Sequence, residues 1–225
     1  MIAFKEKIKD VFDRTKCKHH DDAIVHLPVR TDANDLIAFL RPIVKEYRQT
    51  DPHLPELLSR WRIENPTIST GNFQVTTERT ATWLDNLVIG RDDRLIFMVI
   101  GLDGQPLGHL GFSNFDFASE SAEIDSVLRG VKTVMPGLMS FATLTLMNWG
   151  YRELDLKTIG LSVYSDNESA VRFYARLGFY ESEKKPLYKV MVGDEEKFEL
   201  APKDYRGPVE KYYLKMIYKD RSRSC

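Results

Sequence analysis

Apolar side chains at Phe4, Ile8, Val11 and Phe12, spaced i, i+4, i+7 and i+8 with Lys5, Lys7, Lys9 and Arg14 between them, predict an amphipathic N-terminal helix. Such a helix serves a partner or a membrane surface, or more often lies on its own domain. Ile24–Arg30 alternates as a short strand. Asp32 stands where an N-cap would, and the run behind it predicts a helix to about Tyr47. Residues 50–72 are rich in Pro, Asn, Ser and Thr, with helical character near Leu54–Trp61. Thr77–Val88 predicts another helix, with Trp83, Leu84 and Leu87 on its apolar side.

The period then shortens to that of strands. Leu95–Ile100 is continuously apolar, as a strand buried on both faces would be, and Asp103-Gly104 signals a hairpin turn. Leu107–Phe115 predicts the returning strand and Ala122–Leu128 the next. Gly137–Glu153 predicts a long apolar helix, Ile159–Val163 a strand, and Asn167–Leu177 a helix stopped by Gly178. Extended structure resumes at Phe179, a connection spans Gly193–Pro208, and a last strand covers Tyr212–Tyr218. Strands, a long helix, a strand, a helix and more strands predict a mixed α/β (α+β) fold. For 225 residues the expectation is an N-terminal helical extension over 1–22 and one domain over 23–225.

Charge narrows the function. Thirty-two Lys and Arg against 33 Asp and Glu leave a net charge of −1, without the basic excess that neutralises phosphates, so no nucleic-acid partner is expected. The Leu95–Leu102 run is far shorter than the ~20 residues of a membrane span. The N-terminus lacks a secretory pattern, and Cys17 and Cys225 form no disulfide framework, so a cytoplasmic location is expected. The Cys17-Lys18-His19-His20-Asp21-Asp22 cluster has no second ligand group at zinc-like spacing and reads as a polar linker; no metal is expected.

The chemistry concentrates in Val163-Tyr164-Ser165-Asp166-Asn167-Glu168-Ser169-Ala170-Val171-Arg172-Phe173-Tyr174-Ala175-Arg176-Leu177-Gly178-Phe179. A strand ends in a polar turn, a helix starts at or beside Asn167, and Gly178-Phe179 closes it. A helix after a strand with a glycine cap is common by itself. Asn167, Ala170, Tyr174, Gly178 and Phe179, spaced 3, 4, 4 and 1 apart, make the stretch resemble the GNAT superfamily of acyl-CoA-dependent N-acetyltransferases. The resemblance extends over about residues 95–218. It implies a central, mostly antiparallel sheet with splayed fourth and fifth strands, flanked by helices, and acetyl-CoA as co-substrate.

In that family the fourth strand feeds a loop whose backbone N–H groups bind the CoA pyrophosphate at a helix N-terminus, where unpaired amides and the helix dipole favour an anion. Val134-Met135-Pro136-Gly137-Leu138-Met139 lies where this Gln/Arg-x-x-Gly-x-Gly/Ala loop falls. Gly137 matches its first glycine, Val134 replaces the polar or basic residue, and Met139 replaces the second small one. The resemblance further assigns the backbone of Val127 or Leu128 to polarising the thioester carbonyl. It places Asn167, Ala170 and Phe173 beside the pantetheine, Asn167 being equally consistent with a plain N-cap.

Acyl transfer from a thioester to an amine requires a base for the ammonium proton, stabilisation of the oxyanion, and a proton for the departing thiolate. The family attacks directly, so no nucleophile is needed. Tyr174 matches its helix tyrosine near the sulfur, and a phenol of pKa ~10 is protonated at neutral pH; packing in the core is the alternative role. Glu123 and Asp125, two apart on one strand, share a face. Glu123 is the first candidate base and Asp125 the second; they also suit binding of a cationic substrate, or a solvated edge. Arg129 and Lys132, in the loop between strand and helix, suit a phosphate or an acidic substrate, an ordinary solvated loop being the more economical reading. Trp83, Trp61 and Tyr205 suit stacking on a sugar or base as well as packing, with Trp83 the candidate for the acceptor. The expected acceptor is a small-molecule primary amine, with a nucleotide-linked amino sugar in view. The alternatives are a protein N-terminal or lysine acetyltransferase and a non-catalytic CoA-binding regulatory protein. A homodimer is compatible with the sequence.

Overall fold

The computed structural model describes residues 2–17, 26–66, 74–132, 135–193 and 195–218. Two compact units emerge: Met1–Ser59 with Thr76–Ile159, and Arg60–Val75 with Gly160–Cys225. Elements of both units form the mixed α/β fold with mostly antiparallel sheet that the sequence predicts.

The first unit holds α1 (Ile2–Thr15), β1 (Leu27–Arg30), β2 (Leu36–Pro42), a helical turn α2 (Tyr47–Thr50) and the start of α3 (Leu54–Glu64). It continues with α4 (Thr77–Trp83), β3 (Leu95–Gly101), β4 (Pro106–Asp116), β5 (Ser121–Arg129) and α5 (Leu138–Glu153). Strands β1 to β5 pair antiparallel in chain order. Central β3 is buried on both faces, as its unbroken apolar run predicts. Helix α5 packs on β1, β2 and β4. Its Trp149 meets Phe97 edge to face at 5.4 Å.

The N-terminal helix buries Phe4, Ile8, Val11 and Phe12, as its periodicity predicts. Phe12 packs edge to face on Phe115 at 5.3 Å and Phe4 on Phe117 at 6.2 Å, so the end of β4 receives the helix. Each fully buried side chain of this size contributes about 2 kcal/mol. Lys7 donates to Asp155 beyond α5.

Two expectations are corrected. Residues 32–47 do not form a helix: β2 occupies Leu36–Pro42 and only Tyr47–Thr50 turns helically. The run Leu36-Ile37-Ala38-Phe39-Leu40 has no helical period, Pro42 disfavours helical dihedrals at Arg41, and β1 and β3 supply backbone partners on both sides. The Gly193–Pro208 connection contains a strand, β8 (Glu195–Leu200), paired with β7 (Phe179–Val192) as a hairpin. The Thr77–Val88 helix forms, capped by the Thr76 side chain, which accepts from the Arg79 N–H at 3.2 Å. It widens into a π-helical turn over Leu84–Ile89, closed by the Gly90 N–H donating to the Asp85 carbonyl at 2.8 Å.

The second unit carries β6 (Thr158–Tyr164), α6 (Glu168–Leu177), β7, β8 and β9 (Lys211–Tyr218). Strand β9 lies between β6 and β7, antiparallel to both. Leu161, Val163, Leu214 and Met216 share its buried face, and α6 packs on β7. Among the described residues no helix is long and apolar enough to cross a membrane, and no group of three His, Cys, Asp or Glu is placed to hold a metal. Residues 18–22 of the histidine cluster lie outside the described residues.

Candidate active site

Glu123 and Asp125 project from the same face of β5, both partly buried, between two irregularities of its pairing with β4. Asp116 pairs with Ser121 and Ser113 with Glu123, so Asn114 and Phe115 stand opposite Ala122 alone. Gly111 pairs with Asp125 and His109 with Leu128, so Ser126 and Val127 stand opposite Leu110 alone. Each is a β-bulge, two residues against one, and each re-aims its neighbours. Asn114 and Ser126 both adopt φ +53°, a left-handed conformation that asparagine tolerates and that costs a serine about 1 kcal/mol or more.

Side chains secure both bulges. The turned Asn114 donates its amide to Glu123 Oε2 at 3.1 Å. His109, 7 % exposed, lies with Nδ1 2.6 Å from the Ser126 carbonyl oxygen. A carbonyl only accepts, so Nδ1 carries the proton. Gly108 makes room for this arrangement: a Cβ there would stand 2.4 Å from the Leu128 carbonyl oxygen.

Asp125 is held differently. Arg94, pinned by a hydrogen bond to the Leu87 carbonyl at 3.2 Å, donates Nε to Asp125 Oδ2 at 2.8 Å. Its guanidinium lies over the Trp83 ring, 5.9 Å from the centroid. The structure thus brings Trp83, Arg94 and Asp125 into one stack. The segment bearing Trp83 and Leu87 is itself fixed from below. Buried Lys16 donates to the Val88 and Arg91 carbonyls at 2.9 and 2.6 Å, and burial lowers its pKa to about 8. Tyr47 donates to Asp85 Oδ1 at 2.7 Å, and burial together with that carboxylate raises its pKa to about 12.

At the start of α5, Gly137 is the N-cap with φ +85°, a conformation open to glycine, and no side chain caps the helix. The Gly137 carbonyl accepts from the Ser140 and Phe141 N–H groups at 2.8 and 3.0 Å, and the Leu138 N–H donates to the Met135 carbonyl at 3.2 Å. A 16-residue helix thus opens with its first-turn amides uncapped by side chains, the form that suits an anion. Leu138 and Met139 are buried, so only their backbone can face a ligand; Met139 Sδ lies 3.2 Å from the Cβ position of Gly108. Pro136 and Met135 are exposed, Leu128 is buried and Val127 partly so, and Val134 lies outside the described residues.

In the second unit Asn167 is the N-cap of α6: its Oδ1 accepts from the Ala170 N–H at 3.2 Å and from Ser169 Oγ at 3.1 Å. Gly178, at φ +102°, closes the helix with its N–H on the Ala175 carbonyl at 3.1 Å. Between these caps Tyr174 is 8 % exposed and meets Phe173 at 5.1 Å and Phe179 at 5.8 Å, both edge to face. Trp61 is buried, while Tyr205 stacks on Tyr188 at 4.7 Å and donates to the Pro208 carbonyl. Sequence reasoning missed Arg94, His109 and Asn114. A lone histidine among the apolar residues of β4 was the one available signal.

The chain matches the sequence model of the acetyltransferase (GNAT) domain over residues 30–180. No curated protein matches it in sequence. Among solved structures, RimL, a ribosomal alpha-N-protein acetyltransferase, aligns at TM-score 0.61 and 15 % identity, over 87 % of this chain and 94 % of its own. A GNAT-family probable acetyltransferase from Chromobacterium violaceum aligns at 0.59 and 17 %, over 85 % of each chain. A spermidine N-acetyltransferase SpeG chimera from Vibrio cholerae and hSSAT aligns at 0.54 and 14 %, over 80 % of this chain and 94 % of its own. At these identities the likeness is one of fold.

Proposed function

This chain belongs to the GNAT family of acyl-CoA-dependent N-acetyltransferases, and from that premise we propose that it moves an acetyl group from acetyl-CoA to the primary amine of a small molecule by direct attack. The observation that carries the reading is the carboxylate face of β5, Glu123 and Asp125, set between two bulges on the strand that leads into the uncapped N-terminus of α5. Acetyl-CoA supplies the activated acyl group. The start of α5 at Gly137–Met139 suits its pyrophosphate, since no side-chain cap competes there for an anion. The Ser126–Val127 bulge turns backbone out of the regular ladder, as an oxyanion donor requires.

Glu123 takes the proton of the acceptor ammonium. Its partner Asn114 is neutral and can hold the carboxylate in place in either protonation state. Asp125 serves as a positioning group, because Arg94 occupies Oδ2 and anchors the Trp83 side of the site. Tyr174 gives its phenolic proton to the departing thiolate as the carbon–sulfur bond breaks, and Asn167 with Ala170 and Phe173 sets the helix that carries it. Trp83 offers a ring for the body of the acceptor, a nucleotide-linked amino sugar among them. Thiol release from acetyl-CoA, measured against diamines, amino sugars and N-terminal and lysine peptides, is the test. Turnover with a small amine supports the reading, turnover confined to peptides replaces it, and acetyl-CoA binding without thiol release with any amine overturns the enzyme.

A further inference from the structure

The second unit holds an ammonium ion in an aromatic box that the acyl-transfer chemistry does not use. Tyr164 on β6 and Tyr213 on β9 are cross-strand partners with rings 5.2 Å apart, and Phe198 on β8 stands 6.4 Å from Tyr164. Lys211 Nζ lies 4.0 Å from the Phe198 centroid and 4.3 Å from that of Tyr164, and it donates to Asp166 Oδ2 at 3.2 Å. The Lys211 side chain is 18 % exposed, that of Asp166 61 %.

Ring faces and a carboxylate are the groups that replace the hydration of an alkylammonium cation. The resident cation is tethered only through a flexible four-carbon stem, so it leaves by side-chain rotation while the Lys211 backbone keeps its pairing with Leu187. The mouth of the box is the exposed carboxylate, where a second ammonium can make first contact before the lysine departs. We propose that Tyr164, Phe198, Tyr213 and Asp166 form a recognition site for a primary alkylammonium ion, closed in the free protein by the chain's own Lys211. The carboxylate requires N–H donors, which selects primary amines over quaternary ones, and the rings accept the adjoining methylenes. The same group is presented by a free aliphatic amine and by a protein lysine. The inference is independent of acyl transfer and is read without acetyl-CoA.

The test is an NMR titration of the full chain with butylammonium, with Nα-acetyl-lysine methylamide and with tetramethylammonium. Lys211 ε-methylene protons, shifted upfield by the two rings, should move to ordinary values as a primary amine enters. Lys211→Met removes the competing charge; a box closed nine-tenths of the time weakens apparent affinity about tenfold, so this variant should bind the amine about tenfold more tightly. Phe198→Ala in that background should reverse the gain. Tighter binding of butylammonium assigns free amines, and tighter binding of the lysine amide assigns a protein lysine; both support the site. Lys211 signals unmoved by either amine in the unsubstituted chain overturn it, whether or not the variants fold, as does equal binding of tetramethylammonium.

Discussion

Replacing His109 with leucine removes the N–H that meets the Ser126 carbonyl at 2.6 Å while keeping a side chain that fills the space. The carbonyl belongs to a residue held at φ +53°, so two costs depend on one contact. A buried acceptor left without its donor costs about 1–3 kcal/mol. The left-handed conformation stores about 1 kcal/mol more, which the clamp holds in place. If the bulge survives the substitution, stability falls by about 2 kcal/mol, which for a chain of this size lowers Tm by about 4–8 °C. If the bulge relaxes, the pairing slips by one residue and the direction of the Val127 and Leu128 backbone changes with it. Then KM for acetyl-CoA rises as well. His109→Asn is the discriminating control, because its amide N–H reaches nearly the same place as imidazole Nδ1 and should recover more than half of both losses. Thermal unfolding and acetyl-CoA kinetics on the two variants provide the readout. An unchanged Tm in His109→Leu would refute the clamp. A lowered Tm with unchanged KM would leave it structural and remove it from the site.

Tyr174→Phe is expected to lower kcat about 100-fold or more with little change in KM for acetyl-CoA; an unaltered kcat removes the phenol from the chemistry. Glu123→Gln should abolish the acidic limb of the kcat/KM pH profile, whereas Asp125→Asn should raise KM for the amine through loss of the Arg94 contact; the reverse pattern exchanges the two roles. Gly137→Ala places a side chain at φ +85°, and about 1 kcal/mol of lost stability together with weaker acetyl-CoA binding is expected by calorimetry. Lys16 supplies a pH signature. Its native pKa of about 8 lies below the unfolded value of 10.5, so between these limits the unfolded chain binds more protons and stability rises with pH. The gain relative to Lys16→Met amounts to as much as about 3 kcal/mol, read by denaturant titration from pH 7 to 11; parallel curves for the two proteins would show that Lys16 does not titrate on unfolding.

Periodicity and end signals made parts of both units legible. The i, i+4, i+7, i+8 pattern of α1, the unbroken β3, and the Gly178 stop each depend on neighbours along the chain, and each is present. Strand β2 was not legible, because an apolar run of five residues before a proline is ambiguous until β1 and β3 flank it. Strand β8 was hidden for a related reason: Glu195-Glu196-Lys197-Phe198 lacks strand-like composition and is held by pairing with β7. At the site, the Glu123 and Asp125 pair followed from the two-residue period, whereas the separate partners of the two carboxylates did not.

The sequence by itself determined the family, through five positions from Asn167 to Phe179 at fixed spacing, and with it the acyl-CoA chemistry. It also placed Gly137 at the start of a long helix, where the structure has it as the left-handed N-cap. Only the tertiary structure decided that Asn114 holds Glu123, that Arg94 takes Asp125 against Trp83, and that His109 fixes the Ser126 bulge. These contacts join residues 9 to 31 positions apart. A bulge shifts strand register by one residue, which no periodic pattern records, so the partners of the carboxylates exist only once the strands have paired.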